Sequence, residues 1–220
     1  MFKTNSAWQN FKHAGIIFWS FFKRNLYCGI VFSFKYPVSF NTGYYYRFLY
    51  FHLYNLAKRR SVQNIVIGGA AGAFPPVIGW AIANNNLSIE PIILFLIIFF
   101  WTPSHFWSLS LYKSEDYKKA KIPMLPVVSG VDFTKKNIFA YALILFPITI
   151  LPFYFNFAGP VYLIPTIILG LFYIFLTFKL LKANNKKDTG KFSKKIFAFS
   201  ILYLFLIFTL LLIESFIKFF

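Results

Sequence analysis

The sequence contains little cysteine and few acidic residues. Among its 220 residues Cys28 is the only cysteine, so no disulfide can form within the chain. A metal site built on several thiolates is excluded for the same reason. Aspartate and glutamate together number six, and none precedes Glu90. A site that depends on carboxylates is therefore expected only after that residue.

Apolar residues are abundant and occur in long runs. Hydrophobic residues make up 58% of the chain and aromatic residues 23%, which is more apolar surface than a soluble domain of this size can bury. Five runs are each long enough to cross about 30 Å of hydrocarbon as a helix. Transmembrane strands would be shorter and would alternate in polarity. The sequence therefore predicts an all-α, polytopic transmembrane helix bundle. Its spans are roughly 65–83, 91–112, 137–155, 160–181 and 196–217.

The positive charges fall between the apolar runs. A net charge of +17 would favour nucleic-acid binding in a soluble protein. Here the segments 58–60, 113–136 and 182–195 carry three, six and six positive charges, whereas 84–90 and 156–159 carry none. This alternation predicts orientation in a lipid bilayer, with the basic segments on the cytoplasmic side and no nucleic-acid partner.

The first apolar run is rich in glycine and ends near a pair of prolines. Gly68 and Gly72 are spaced as a pair of small residues that lets two helix backbones approach closely. Pro75 and Pro76 interrupt the hydrogen-bond ladder in the middle of this predicted span. A packed, kinked helix without a direct functional role explains the same pattern equally well.

Two polar residues in or beside apolar runs are candidates for a site. His105 lies well inside the second run, where an ionisable group is costly unless it faces the bundle interior. Trp107 and its aromatic neighbours could form a platform for a flat ligand, or an interfacial belt. Asn64 lies at the mouth of the glycine-rich helix and could bind phosphate or a hydrated cation. The alternatives are a neutral, hydrogen-bonded histidine and a simple helix N-cap.

The segment after Tyr112 combines acids with lysines. If the helix continues to about Ala120, then Tyr112, Asp116 and Ala120 share one face, with Lys113 beside Asp116. A carboxylate can hold Mg²⁺ while lysines neutralise phosphate oxygens. The alternative is a basic loop with incidental acids. Prolines are expected to end this helix. The candidate residues are Lys113, Glu115, Asp116 and Tyr117, and the prolines are Pro123 and Pro126.

Two long segments carry a resemblance to a known family. They are KRRSVQNIVIGGAAGAFPPVIGW, residues 58–80, and FLIIFFWTPSHFWSLSLYKSEDYKKAKIPMLPVVSG, residues 95–130. Both resemble the protoheme IX farnesyltransferases, or haem O synthases, among the UbiA-type intramembrane prenyltransferases. The resemblance extends from residue 58 to about residue 217. It implies a fragment of a nine-helix fold in a bacterial inner membrane.

The resemblance implies a reaction and a set of roles. The reaction transfers a farnesyl group from farnesyl diphosphate to a vinyl group of haem B, and Mg²⁺ assists the departure of diphosphate. By similarity, Asp116 is assigned to the metal and catalysis, together with Lys113. Substrate binding falls to the remaining candidates. These are Asn64, His105, Trp107, Glu115 and Tyr117.

One departure from the family pattern concerns the N-terminal part. Family members carry an earlier Asp-rich motif, and this chain has no acid before Glu90. The expectation is that an N-terminal half is missing and that the chain is therefore inactive. For one choice of codons, a one-base frame shift turns residues 48–58 into an apolar helix. Residues 1–57 are therefore predicted to be an atypical, frame-shifted segment, and residues 58–220 the C-terminal part of a prenyltransferase domain. The alternatives are a quinone-type prenyltransferase and a non-catalytic membrane remnant.

Overall fold

The computed structural model describes residues 64–84, 86–120 and 122–219, and all their regular structure is helical. The five predicted transmembrane spans are confirmed within these residues. The predicted segment 1–57 lies outside them. The helices are α1 Asn64–Ala73, α2 Pro75–Asn84, α3 Ile89–Tyr112, α4 Ser114–Lys119, α5 Leu125–Val128, α6 Val131–Tyr154, α7 Pro160–Leu181 and α8 Lys186–Phe219.

The predicted break at the proline pair is confirmed. The first span consists of two helices, α1 and α2, separated at Phe74. Pro75 and Pro76 supply no backbone N–H, so the helix restarts there, with its first bond from the Ile78 N–H to the Phe74 carbonyl.

The closest approach of α1 to α3 lies at Gly69. A Cβ placed on Gly69 would come within 2.9 Å of Thr102 Cγ2, whereas a Cβ on Gly72 would meet nothing within 4 Å. The close contact therefore involves Gly69, which is next to Gly68 of the predicted pair. Gly72, the other member of that pair, is exposed and lies away from α3.

We expect Gly69→Ala to destabilise the bundle and Gly72→Ala not to do so. The added methyl at position 69 presses on Thr102, and overpacking of this kind costs about 1–3 kcal/mol. At the exposed position 72, alanine favours the helix by up to about 1 kcal/mol. Denaturant titration of the two variants in mixed micelles measures the difference. Equal free energies of unfolding would show that the α1–α3 contact is not tight at Gly69.

Two predicted span boundaries, which followed the ends of the apolar runs, are wrong. The third span begins at Val131 rather than at residue 137, and the last begins at Lys186 rather than at residue 196. Lysine is a good helix former, so a basic segment need not end a helix. At the start of α6 the turn depends on Gly130, whose φ of +85° lies in the region that favours glycine.

The predicted continuation of α3 to Ala120 is also wrong. The helix ends at Tyr112, and Lys113, with φ −107° and ψ 25°, separates it from the short helix α4. Pro126 does not end a helix but lies in the first turn of α5, where its missing N–H costs nothing. Tyr112, Asp116 and Ala120 therefore do not form one continuous helical face.

Helix α3 is the central element of the described bundle. It packs against α1, α6 and α8, while α7 packs against α6 and α8. The core contains large side chains with almost no exposure, including three tyrosines from the last two helices. Many phenylalanine and isoleucine side chains on the opposite faces are exposed, as expected for surfaces that contact lipid. The fully buried tyrosines are Tyr162, Tyr173 and Tyr203.

Candidate functional site

Two lysine-bearing segments distant in sequence meet at one end of the bundle. One comprises residues 113–119, at the end of α3 and in α4. The other comprises residues 182–195, at the start of α8. We call the surface that they form the lysine-rich end. An ion pair joins them directly, because Lys186 Nζ donates to Glu115 Oε1 at 2.9 Å.

The ring of Tyr112 is the second point of contact between the segments. Lys113 Nζ lies 5.5 Å from the ring centroid, and Lys194 Nζ lies 5.8 Å from the same centroid. Cations at this distance are attracted to the ring. Two ammonium groups from different helices are thus held around one aromatic side chain at the end of α3.

Asp116 adds a carboxylate to this arrangement. Its Oδ2 lies 3.3 Å from Lys113 Nζ, and both side chains are at least half exposed. The break after Tyr112 produces this pairing, since the Asp116 N–H donates to the Lys113 carbonyl in the first turn of α4. An exposed pair of this kind contributes little to stability. Its groups are accessible to a charged ligand.

Two further groups at the lysine-rich end are perturbed. The hydrogen bond and charge of Lys186 lower the pKa of Glu115. Burial raises the pKa of Tyr117, and the charge of Asp116 raises it further. Glu115 therefore stays ionised to lower pH than usual, and Tyr117 remains a neutral hydroxyl at physiological pH.

Sequence analysis identified Lys113 and Asp116 but missed Lys186 and Lys194. Both belong to the segment 182–195, whose charge predicts orientation in the membrane and not a binding site. Its charge sign was nevertheless informative, because basic segments on the same side of a membrane end at the same face of the bundle. That argument predicts a shared face, while the particular contacts need the packing of α8 on α3.

His105 lies deeper and is enclosed by packing. It is 7% exposed and lies between the rings of Trp101 and Phe197, with centroids 4.3 and 4.7 Å away. Its Nδ1 is 2.6 Å from Ser200 Oγ. The Trp101 indole N–H donates to the carbonyl of Ser200 at 2.8 Å. His105 thus joins α3 to α8, and both faces of its ring are covered.

Asn64 and Trp107 lie at a similar depth. Gly69 of α1 lies opposite Thr102 of α3, and the two helices run antiparallel with the same rise per residue. Asn64, five residues before Gly69, therefore lies roughly level with Trp107, five residues after Thr102. Trp107 is buried and meets the ring of Tyr141 edge-on. Its Nε1–H has no hydrogen-bond partner within the described ranges. An acceptor from a ligand would satisfy this donor.

A line of buried polar groups runs through the helices and was not predicted. Ser104 Oγ is 2.6 Å from the Tyr173 hydroxyl, and the Tyr173 ring stacks on that of Tyr203. The Tyr203 hydroxyl donates to Thr149 Oγ1 at 3.1 Å, and the Tyr162 hydroxyl donates to the Thr149 carbonyl at 2.7 Å. These bonds tie α3, α6, α7 and α8 together and fix the frame on which the lysine-rich end is placed.

The carboxylates fit only one kind of metal site. Among the described residues, no three acidic, histidine or cysteine side chains converge as they would in an all-protein metal site. Asp116 offers one accessible carboxylate beside an ammonium group. Mg²⁺ commonly binds through one or two carboxylates together with substrate phosphates. The residues present therefore suit a cation that arrives with a diphosphate.

Comparison with known proteins identifies the family. The sequence model of the UbiA prenyltransferase family matches residues 12–202. The chain belongs to this family. The predicted resemblance is confirmed, and the chain is a multi-pass membrane protein. The family match also begins earlier than residue 58, where the resemblance was expected to begin.

The names of curated relatives are more specific than the family description. The chain is 61% identical over 158 residues to a protoheme IX farnesyltransferase of Pelagibacter ubique, a match that covers 72% of the chain and 52% of that relative. It is 53% identical over 169 residues to one from Parvibaculum lavamentivorans, covering 76% and 53%. The chain thus spans about half the length of the curated relatives that it matches. No solved structure matches it.

Proposed function

We propose that residues 58–220 are the C-terminal part of a protoheme IX farnesyltransferase, and that the lysine-rich end binds the diphosphate of farnesyl diphosphate. The convergence of Lys113 and Lys194 on the Tyr112 ring, with Asp116 paired to Lys113, carries this proposal. The similarity to relatives with that name supplies the substrate class, a prenyl diphosphate with haem B as acceptor.

The reaction requires the loss of an anionic leaving group. The bond between farnesyl C1 and the diphosphate oxygen breaks, and the electron pair leaves with diphosphate. A vinyl group of haem B attacks the allylic cation, which moves the positive charge to the former vinyl carbon next to the porphyrin ring. Water adds to that carbon and releases a proton to solvent, which gives the hydroxyethylfarnesyl side chain of haem O. Because negative charge grows on the diphosphate as the bond breaks, cationic groups placed there lower the barrier.

The lysines of the proposed site supply that stabilisation. Lys113 and Lys194 donate to phosphate oxygens, and each ammonium is held near the site by the Tyr112 ring. Lys186, paired with Glu115, lies at the edge of the same surface. In the absence of diphosphate, Asp116 and Glu115 balance part of the charge of these lysines.

Mg²⁺ is proposed as the cation that accompanies the diphosphate. Asp116 is the residue that would hold it, through its accessible carboxylate. The ion would neutralise charge on the leaving group. Tyr117 remains protonated and can donate a hydrogen bond beside this carboxylate.

The deeper residues are proposed to serve the acceptor and the prenyl chain. His105 is assigned a positioning role, because Trp101 and Phe197 already cover both ring faces and a haem cannot stack there. Trp107 offers its unpaired indole N–H to a substrate acceptor. Asn64 lies at a similar level on α1, and we assign it to substrate binding by its family resemblance.

The orientation and the domain division are also proposals. We infer that the lysine-rich end faces the cytoplasm of a bacterial cell and that the helices cross its inner membrane. We further propose that residues 1–57 are an atypical segment and that a complete site requires an N-terminal half of the kind present in the longer relatives.

Haem O production by the chain itself tests the function. We expect membranes containing only residues 1–220 to make little or no haem O, because a single acidic motif cannot replace two. Co-expression with the N-terminal half of the Pelagibacter ubique relative is expected to give product. Haem O is measured by mass spectrometry of extracted haems. Robust product from the chain alone would disprove the need for the second half. Absence of product from the folded pair would disprove the farnesyltransferase assignment.

A further inference from the structure

A cavity lies where α7 ends and α8 begins. It has a volume of about 560 Å³. One part of its lining is aromatic and the other is basic and amide-bearing. We call it the α7–α8 pocket. Its lining residues are Phe175, Phe178, Lys179, Lys182, Ala183, Asn184, Asn185, Asp188 and Phe192.

Two lysines of the pocket lean over aromatic rings. Lys179 Nζ lies 4.4 Å from the ring centroid of Phe175, and Lys182 Nζ lies 4.7 Å from that of Phe178. Side chains on a helix point towards its N-terminus, which here means away from the lysine-rich end and towards the apolar body of α7. Both ammonium groups therefore lie at the boundary between the basic end of the helix and its apolar surface.

The aromatic part of the pocket continues into the surface that contacts lipid. Phe175 and Phe178 are 49% and 40% exposed, and α7 carries further exposed apolar residues closer to its start. A soluble anion would leave these rings without a partner. A lipid would place acyl chains on them and its headgroup beside the lysines.

The charge of the pocket favours an anion. Two lysines and one acid, Asp188, line it, so the lining is net positive. The side-chain amides of Asn184 and Asn185 can donate to phosphate oxygens. Basic pockets between transmembrane helices are suited to anionic headgroups.

We propose that the α7–α8 pocket binds one anionic phospholipid, with its phosphate between Lys179 and Lys182 and an acyl chain against Phe175 and Phe178. The pocket shares the segment 182–195 with the lysine-rich end, but Lys179 and Lys182 are not among the residues to which diphosphate binding is assigned, so lipid binding is tested separately from that function. Bound lipid would join the end of α7 to the start of α8 and steady the segment that carries Lys186.

Lipid retention by the 220-residue chain tests this site. The chain is placed in nanodiscs with equal amounts of phosphatidylcholine and phosphatidylglycerol, and retained lipids are counted by native mass spectrometry. We expect preferential retention of one phosphatidylglycerol. The double variant Lys179→Gln/Lys182→Gln is expected to bind it about tenfold more weakly.

A matched double variant controls for general charge. Lys187→Gln/Lys191→Gln removes the same charge from exposed positions of α8 that do not line the pocket. It is expected to keep the phosphatidylglycerol. All four lysines are exposed, so neither pair of substitutions disturbs the core, and circular dichroism checks that both variants are folded.

Three results would overturn the proposal. The first is equal retention of phosphatidylcholine and phosphatidylglycerol by the wild-type chain. The second is equal loss in the two double variants, which would show attraction to the basic surface as a whole. The third is displacement of the lipid by inorganic phosphate, which would show that the pocket takes a soluble phosphate and that the rings play no part.

Discussion

Asp116→Asn is expected to lower haem O production by at least about 100-fold when residues 58–220 follow the N-terminal half of the Pelagibacter ubique relative in one chimeric chain. The substitution keeps the size of the side chain and removes its charge. On our proposal Asp116 holds the cation that accompanies the diphosphate, so its loss acts on the step in which that group departs. Haem O and unreacted haem B are quantified together by mass spectrometry.

Asp132→Asn is the matched control for this prediction. Asp132 is an exposed acid that pairs with a lysine three residues away, Lys135, as Asp116 pairs with Lys113. Lys135 is buried, unlike Lys113, but it also donates to the Ala183 carbonyl, and asparagine keeps an oxygen acceptor for it. It does not belong to the proposed site, and its variant is expected to retain most of the activity. Equal activity of the wild-type chimera and the Asp116→Asn variant would remove this residue from the site.

Glu214→Ala is expected to destabilise the bundle by about 3 kcal/mol. Glu214 is 4% exposed, and its Oε2 accepts the backbone N–H of Tyr162 at 3.0 Å. Helix α7 begins after Gly159, which has no side chain to cap the first turn. The buried carboxylate of α8 therefore caps α7 from outside and bonds the two helices together.

Two further variants separate the cap from simple loss of volume. Glu214→Gln keeps an oxygen acceptor and is expected to lose clearly less stability than Glu214→Ala. Gly159→Ala is expected to be damaging, since a Cβ there would collide with the Glu214 carboxylate, whereas a Cβ on Gly190 would meet nothing. Denaturant titration in mixed micelles measures all the variants, with Gly190→Ala as the neutral control. Unchanged stability of Glu214→Ala would refute the capping role.

The sequence was sufficient to predict the spans. Long apolar runs give the number and approximate positions of the membrane-crossing helices, because the thickness of the hydrocarbon sets a minimum length that few other patterns satisfy. The break at Pro75 was predictable for an equally direct reason, the missing N–H. The family was recognisable from two long segments, residues 58–80 and 95–130.

Helix ends were less predictable, because charge does not determine them. Lys135 lies inside α6 since its ammonium reaches the Ala183 carbonyl at 2.7 Å, beyond the end of α7. The Lys135 ammonium can be buried because it has this carbonyl as a partner. Nothing in the sequence around Lys135 indicates the contact. The break at Lys113 likewise depends on how α4 turns away from α3.

The site was predicted only in part, for a related reason. Lys113 and Asp116 are close in sequence, so helical spacing was enough to suggest that they pair. Lys194 reaches Tyr112 only because α8 packs on α3. Glu214 is an acid inside an apolar run, and burial of such a group is costly unless it has a partner. This pattern marks Glu214 as a candidate, although the sequence analysis did not select it. Its partner is a backbone N–H, and the sequence does not mark that group.

The central claim is that the two lysine-bearing segments form a single diphosphate site, and binding by Lys194 and Lys195 variants tests it most directly. The chimeric chain in nanodiscs is titrated with a non-hydrolysable thiodiphosphate analogue of farnesyl diphosphate. Lys194 lies beside the Tyr112 ring, and Lys195 is its exposed neighbour with the same charge. We predict that Lys194→Gln raises the dissociation constant about tenfold, while Lys195→Gln leaves it nearly unchanged. Equal effects of the two substitutions would contradict the account.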